Sequence, residues 1–161
     1  MELYQLIINQ AANALDEDVG SGDISAALID ADGRLDTELL VREDAVLCGC
    51  QWFDEVMRQC DAGIDVRWLA GDGDAISANS VVCEVSGPAR GLLTAERSAI
   101  NFLQTLSGTA TTVRTYASAS VIPAAASSIP AKPFPNCASH RSMPCSAVAA
   151  ATIVLVFLMP T

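Results

Sequence analysis

The stretch LLTAERSAINFLQTLSGTATTVRTY, residues 92–116, carries the longest helix signal in the chain. Thr94 fits an N-cap, and Glu96 lies in the first turn, where the helix dipole favours an acid. The apolar positions recur every three or four residues, as one helix face requires: Ala95, Ala99, Phe102, Leu103 and Leu106. We therefore predict a helix over 94–116 that packs this face against a core.

The opposite face of the predicted helix carries a polar line. Arg97, Asn101, Gln104 and Gly108 follow one another at spacings of four, three and four. A line of this kind faces either a ligand or water, and the pattern alone favours water. The residues by themselves therefore leave both interpretations open.

The preceding residues alternate between helix and strand patterns. Residues 2–16 place their apolar side chains on one helical face, and DVGSGD (18–23) breaks that helix with two glycines. Strand patterns follow at 35–42, 45–49, 64–68 and 81–85, with an amphipathic helix at 51–61 that buries Trp52 and Val56, and Gly87-Pro88 closing the last strand. Strands interleaved with helices predict a small α/β (α+β) domain.

The charge and the cysteines exclude several classes of function. The net charge of −10 argues against nucleic-acid binding, because no basic surface is available for phosphates. The six cysteines lack metal-ligand spacing, and no signal peptide is evident, so we expect reduced thiols and a cytoplasmic location. His140, the single histidine, has no nearby carboxylate pattern that would suggest a catalytic triad.

The composition changes near Tyr116. All 19 acidic residues lie between Glu2 and Glu96, whereas six of the seven prolines follow residue 120. The chain therefore divides into an acidic globular part, 1–116, and a tail, 117–161, rich in Pro, Ala and Ser.

Residues 92–116 resemble the quinolinate phosphoribosyltransferase family, also called nicotinate-nucleotide pyrophosphorylase (carboxylating). The segments ALDEDVGSGDIS (14–25), VREDAVLCG (41–49) and GDGDAISANSVVCEVSGPAR (71–90) occur in the order and spacing of that family. The resemblance covers residues 1–116. It implies an N-terminal open α/β sandwich, followed in the family by an incomplete α/β barrel.

The resemblance also implies an activity and an assembly. Members of the family form nicotinate mononucleotide, CO2 and pyrophosphate from quinolinate and phosphoribosyl pyrophosphate, with Mg2+. They are homodimers whose active sites join the barrel of one subunit to the N-terminal domain of the other. No membrane or nucleic-acid partner is implied.

The family's Glu-Arg pair assigns one substrate-binding residue. Its arginine, which contacts the substrate carboxylates across the dimer interface, corresponds to Arg97. A guanidinium binds a carboxylate bidentately, which suits a dicarboxylate such as quinolinate. The alternative is a surface ion pair between Arg97 and Glu96 or another acid. Asn101, Gln104 and Thr109 are candidates for shaping the site.

Residues 117–161 depart from the family, but the codons that these residues allow can encode a family-like sequence in another frame. When the reading frame is moved back by one base, residues 128–148 can encode DTRKTLPKLRLAQKYAVQCG, and the last run can encode GGGxNHRIGLFDAY. Met143-Pro144 and Met159-Pro160 must each give alanine, which the family has at both places. We therefore predict that the tail is out-of-frame, poorly ordered, and without the barrel's phosphate-binding and Mg2+-binding residues.

This interpretation predicts that the 161-residue chain is inactive alone. The alternatives are an interaction domain that pairs with a full-length subunit, and a binding module, since GDGDAISANSVVCEVSG (71–87) looks like half of a biotinyl/lipoyl hammerhead. That module needs a lysine, and the one lysine is Lys132, in the tail. A membrane anchor is disfavoured because the closing apolar run has about 13 residues and a spanning helix needs about 20.

Overall fold

The computed structural model describes residues 2–20, 29–30, 33–119 and 153–158. Three helices and six strands occur within these ranges. In chain order they are α1 (Glu2–Val19), β1 (Arg34–Val41), β2 (Ala45–Val46), α2 (Cys50–Cys60), β3 (Asp65–Trp68), β4 (Ala75–Ile76), β5 (Val81–Pro88), α3 (Ala89–Ala119) and β6 (Ile153–Leu158).

Four of the strands form an antiparallel sheet in the order β3-β5-β1-β6. Side chains alternate between the two faces of a strand, so one face of this sheet is buried and the other is polar. Leu39 pairs with Cys83, which pairs in turn with Trp68, and Leu39 and Cys83 are fully buried. On the other face Glu84 pairs with Arg67 through an exposed ion pair of 3.1 Å.

The helices cover the apolar face of the sheet. Phe53 of α2 is fully buried and meets Trp68 of β3 edge-on, with ring centroids 5.4 Å apart. On α3, Ala95 and Ala99 are fully buried, and their small side chains let the helix lie close to its neighbours. The predicted open α/β sandwich is confirmed.

Side-chain hydroxyls of α3 fix the segment that joins β2 to α2. The Ser107 hydroxyl is fully buried, accepts a hydrogen bond from the Cys48 amide at 3.0 Å and donates one to the Cys48 carbonyl at 3.1 Å. One turn later the Thr111 hydroxyl accepts from the Val46 amide at 2.8 Å. Strand β2 is only two residues long, so few backbone groups in this part of the chain have a hydrogen-bond partner in a sheet. The two hydroxyls supply these partners.

Gly49 is required directly after this segment. Its φ of 107° lies in a region that residues with a side chain rarely adopt, and a Cβ there would lie 2.8 Å from Cδ1 of Leu106. The Asp72 carboxylate then accepts hydrogen bonds from the amides of Gly49 and Cys50, at 2.9 and 3.0 Å, at the start of α2. The junction can therefore turn sharply while α3 packs against it.

The structure differs from the sequence prediction at several places: the strand predicted over 45–49 spans only Ala45–Val46, and α1 continues to Val19, into the segment predicted to break it. The helix predicted over 94–116 spans Ala89–Ala119, so Thr94 is not its N-cap; Gly91 lies in its first turn, where a Cβ would lie 2.7 Å from Cβ of Asp61. Strand β5 runs through Gly87-Pro88 instead of ending before it, and Pro88 is tolerated because it pairs with β1 alone, since the pairing of β3 with β5 ends at Ser86. Gly108, which the prediction placed on the polar face of the helix, is buried. It has no polar side chain that would have to remain in contact with water.

The predicted hammerhead half also differs from the structure. Strand β4 pairs with β2, whereas β5 pairs with β1 and β3, so residues 71–87 divide between two sheets and form no hairpin. In the tail, residues 117–119 end α3 and residues 153–158 form strand β6 against β1, and poor order of the tail stays a prediction. The prediction for 120–152 and 159–161 lies outside the described residues, and the out-of-frame origin of the tail stays a prediction.

None of the helices within the described ranges is both long enough and apolar enough to cross a membrane.

We expect the substitution Ser107→Ala to lower the free energy of unfolding by about 2 kcal/mol, because it leaves the Cys48 amide and carbonyl without their buried partner. Urea unfolding followed by circular dichroism measures the change. Thr109→Ala is the matched control, since this exposed hydroxyl donates to the Thr105 carbonyl of its own helix. It should change the value by less than about 0.5 kcal/mol. Equal effects of the two substitutions would contradict the role given to Ser107.

Candidate functional site

A groove of about 580 Å³ opens between α1, α2 and α3. Its walls combine apolar side chains with hydrogen-bonding groups and three charges, which is the usual make-up of a small-molecule site. The lining residues are Leu6, Gln10, Ala14, Glu17, Asp18, Trp52, Arg97, Ser98, Asn101, Phe102, Thr105 and Leu106.

Arg97 stands at the α1 side of this groove. Its side chain is 85% exposed, and its Nε lies 3.7 Å from Oδ1 of Asp18. The other carboxylate oxygen of Asp18 accepts a hydrogen bond of 2.6 Å from the hydroxyl of Ser98, which is buried. An ion pair with an acid other than Glu96 is therefore present, and it leaves most of the guanidinium open to the groove.

Trp52 closes the groove on the α2 side. Its indole Nε1 donates a hydrogen bond of 2.8 Å to Oε1 of Gln10 on α1, which fixes the ring against that helix. The groove therefore has one aromatic wall and one cationic wall. A flat, anionic ring compound would meet an aromatic side chain and a guanidinium there, together with the negative charges of Glu17 and Asp18.

A second contact between α1 and α2 supports the groove. Glu55 is 3% exposed and receives hydrogen bonds from Nη2 of Arg58 at 2.6 Å and from Nε2 of Gln59 at 2.7 Å. The same Gln59 nitrogen donates to the Ile8 carbonyl of α1 at 3.1 Å. The hydrogen bonds from Arg58 lower the pKa of Glu55, so the carboxylate stays ionised where it is buried.

The predicted site residues fall into two groups. Arg97 and Asn101 both line the groove, and they also border a shallow depression next to it together with Glu96, Ile100 and Gln104. Gln104 donates to the Ile153 carbonyl of β6 at 2.8 Å. Thr109 is exposed further along α3, where its hydroxyl donates to the Thr105 carbonyl, so the structure does not bring it to Arg97. The roles of all four in substrate binding stay predictions.

Sequence reasoning missed the groove residues that come from α1 and α2. Asp18 lay in the segment interpreted as a helix break, and Gln10 carries no motif. Trp52 was predicted to be a core residue, but it is only half-buried and lines the groove. The signal that could have drawn attention to Asp18 is its place in the stretch 14–25, which resembles the family described above.

The described part of the chain offers no reactive thiol and no metal centre. Burial raises the pKa of Cys60 to about 11 and that of Cys83 to about 12, and it also raises the pKa of Cys48 and Cys50. These thiols are therefore protonated and weakly nucleophilic near neutral pH. No three or more His, Cys, Asp or Glu side chains converge there as a metal ion would require.

Comparison with known proteins identifies related sequences. Residues 23–107 match the family model for the N-terminal domain of quinolinate phosphoribosyl transferase. The chain is 35% identical over 108 residues to the chloroplastic nicotinate-nucleotide pyrophosphorylase (carboxylating) of Oryza sativa subsp. japonica, which covers 66% of this chain and 29% of that protein. It is 34% identical over 105 residues to a probable nicotinate-nucleotide pyrophosphorylase (carboxylating) of Synechocystis, and this alignment covers 65% of this chain and 36% of that protein.

Solved structures show the same similarity in three dimensions. The nicotinate-nucleotide pyrophosphorylase of Francisella tularensis superposes with a TM-score of 0.69 at 36% identity, over 71% of this chain and 41% of that chain. The enzyme of that name from Ehrlichia chaffeensis gives a TM-score of 0.64 at 31% identity, over 67% and 40%. The chain thus spans less than half the length of these relatives.

We expect Glu55→Gln to lower the free energy of unfolding by about 1–2 kcal/mol at pH 7, since it removes the charge that Arg58 and Gln59 stabilise. Because the pKa of Glu55 is lowered in the folded state, its contribution is present above the ordinary glutamate range and disappears as the pH falls through the folded pKa. The difference between wild type and variant should therefore shrink at pH values below about 4.5.

Urea unfolding at pH 7 and pH 3.5 measures this difference. Glu84→Gln is the control, because it breaks the exposed pair with Arg67 and should have little effect at either pH. A difference for Glu55→Gln that is the same at both pH values would show that ionisation of Glu55 does not matter.

Proposed function

The chain belongs to the quinolinate phosphoribosyltransferase family, and from this we propose that it supplies the carboxylate-binding half of a quinolinate phosphoribosyltransferase site. The reaction is the transfer of a phosphoribosyl group to quinolinate, with release of CO2 and pyrophosphate, in the formation of nicotinate mononucleotide for NAD biosynthesis. The observation that supports the proposal most directly is Arg97, which the family's arginine matches and which stands open in the groove.

The chemistry of the groove suits an aromatic dicarboxylate. The terminal nitrogens of a guanidinium bind one carboxylate in a planar, bidentate pair. Trp52 and Phe102 provide apolar surface for a ring, and Asn101 and Thr105 can donate hydrogen bonds to further oxygen atoms. Arg97 is thus proposed to bind and orient quinolinate, with Asn101 and Gln104 shaping the surface around it.

A single cation cannot complete the reaction. Among the described residues that line the groove, Arg97 is the one positive charge, and Glu17 and Asp18 carry negative charges. Phosphoribosyl pyrophosphate and two carboxylates need more positive charge than this, since catalysis of such transfers depends on positioning and electrostatic stabilisation. We propose that Mg2+ and the phosphate-binding groups belong to the barrel of a full-length enzyme.

A non-catalytic role is the second candidate. Exposure of Arg97 beside the shallow depression lined by Ile100, Asn101 and Gln104 favours a function at an interface with a second subunit. In that role the chain pairs with a full-length member of the family and completes its site in trans, as the family's homodimers do.

The unpaired thiols of Cys48, Cys50, Cys60 and Cys83 agree with the reducing cytoplasm that we propose as the location of the chain.

We expect the purified 161-residue chain to release no CO2 from carboxyl-labelled quinolinate when phosphoribosyl pyrophosphate and Mg2+ are present. The reason is that one arginine holds neither the pyrophosphate nor the metal. A full-length family member serves as the positive control in the same radiometric assay. Turnover by the purified chain would contradict the inactivity proposed for it.

We expect the chain to restore activity to a full-length family member in which the arginine equivalent to Arg97 has been changed to alanine. In the mixed dimer, Arg97 of the short chain would enter the barrel site of the full-length subunit. Steady-state CO2 release from the mixture measures restoration, and native mass spectrometry verifies that mixed dimers are present.

Both control variants change an arginine of α3. The chain with Arg97→Ala should not restore activity, whereas the chain with Arg114→Ala should, because Arg114 lies on α3 outside the groove. Mixed dimers that remain inactive would rule out the role of Arg97 in trans.

A further inference from the structure

We propose that Asp18 is a positioning residue that holds the guanidinium of Arg97 with its carboxylate-binding edge open to the groove. The inference rests on the proposed function, because it concerns the same arginine. It assigns a role to an acid in a groove that is proposed to take a dianion, where an acid would otherwise only repel the ligand.

The Asp18 carboxylate is itself fixed. Its Oδ2 accepts a hydrogen bond of 2.6 Å from the Ser98 hydroxyl, and Ser98 is 2% exposed on the buried side of α3. A short hydrogen bond to a buried group limits rotation of the carboxylate. Oδ1 is therefore directed to one place, which is 3.7 Å from Nε of Arg97.

The geometry selects one edge of the guanidinium. A guanidinium offers a carboxylate either the edge formed by Nε and one terminal nitrogen or the edge formed by both terminal nitrogens. Asp18 approaches Nε, so the edge formed by the two terminal nitrogens remains for a ligand. Without Asp18 the Arg97 side chain, 85% exposed, would sample many rotamers and would have to be ordered by each ligand.

Asp18 does not stabilise the helix on which it lies. It occupies the last turn of α1, which contains no basic residue, and Gly20 with a φ of 49° follows the helix end. An acid in the last turn meets the negative end of the helix dipole and is unfavourable there. The favourable contacts of Asp18 are with Ser98 and Arg97 on α3. Ser98 is 80 residues away from Asp18 in the sequence.

The positioning role and simple electrostatic repulsion predict opposite changes in the affinity for quinolinate. If Asp18 only repelled anions, Asp18→Asn would tighten binding of quinolinate. If Asp18 positions Arg97, the same substitution weakens binding in spite of the lost repulsion. We expect a dissociation constant about three- to tenfold higher for Asp18→Asn, the factor associated with ordering one long side chain.

The experiment uses the full 161-residue chain, labelled with nitrogen-15 at its arginine Nε positions. Quinolinate is titrated while the Nε–H signal of Arg97 is followed by NMR, and the relaxation of the same signal is measured without ligand. Asp18→Asn should weaken binding and increase the mobility of the Arg97 Nε, and Ser98→Ala should do both to a smaller extent. Asp16→Asn is the matched control, since it removes the same charge from the same helix end outside the groove lining.

The outcomes are distinct. Binding that survives Arg97→Ala at full strength would overturn the proposed function itself. Loss of binding in Arg97→Ala, together with unchanged or tighter binding in Asp18→Asn, would overturn the positioning role alone. The relaxation measurement needs no ligand, so an Arg97 Nε that is equally mobile in wild type and Asp18→Asn also overturns that role, however weak the affinity of the chain for quinolinate is.

Discussion

The buried hydroxyl of Ser107 joins the two parts of the domain on which the groove depends. It gives a partner to both backbone groups of Cys48, and Cys48 is followed at once by Gly49 and the start of α2. The direction of α2, and with it the place of Trp52, is therefore set from α3. Arg97 stands on that same α3, so one helix fixes the relative position of the aromatic and the cationic walls.

Helix α3 serves the core and the groove with different residues of the same turns. Ala95 and Ala99 face the core without exposed surface, while Arg97 and Asn101 are exposed beside them. Ser98 lies between the two faces and links them, since its hydroxyl is buried and yet reaches Asp18. Close packing of the small side chains thus limits how far the functional face can move, because protein cores deform very little.

The periodicity of the sequence was sufficient to predict the helices and the longer strands. It placed α1, α2, β1 and β5 within a few residues, because each buries one face against a single core. It could not reveal Asp18 or the inward position of Ser98, because that pair joins residues 80 positions apart and local patterns carry no information on such contacts. Arg97 was found only through the resemblance, since an exposed arginine on a polar face has no signature of its own.

The charge balance of the groove limits what Arg97 can contribute to the binding of an anion. The chain carries a net charge of −10, and in the groove Glu17 and Asp18 outnumber Arg97. This net negative charge opposes the approach of an anion, so under the proposed function Arg97 contributes orientation more than affinity. Under the proposed function, the attraction for a dianion and a pyrophosphate has to come from cations outside the groove. A domain that is proposed to orient a ligand which its own net charge repels is suited to a site completed by a second, basic surface, because binding then requires both surfaces to be present.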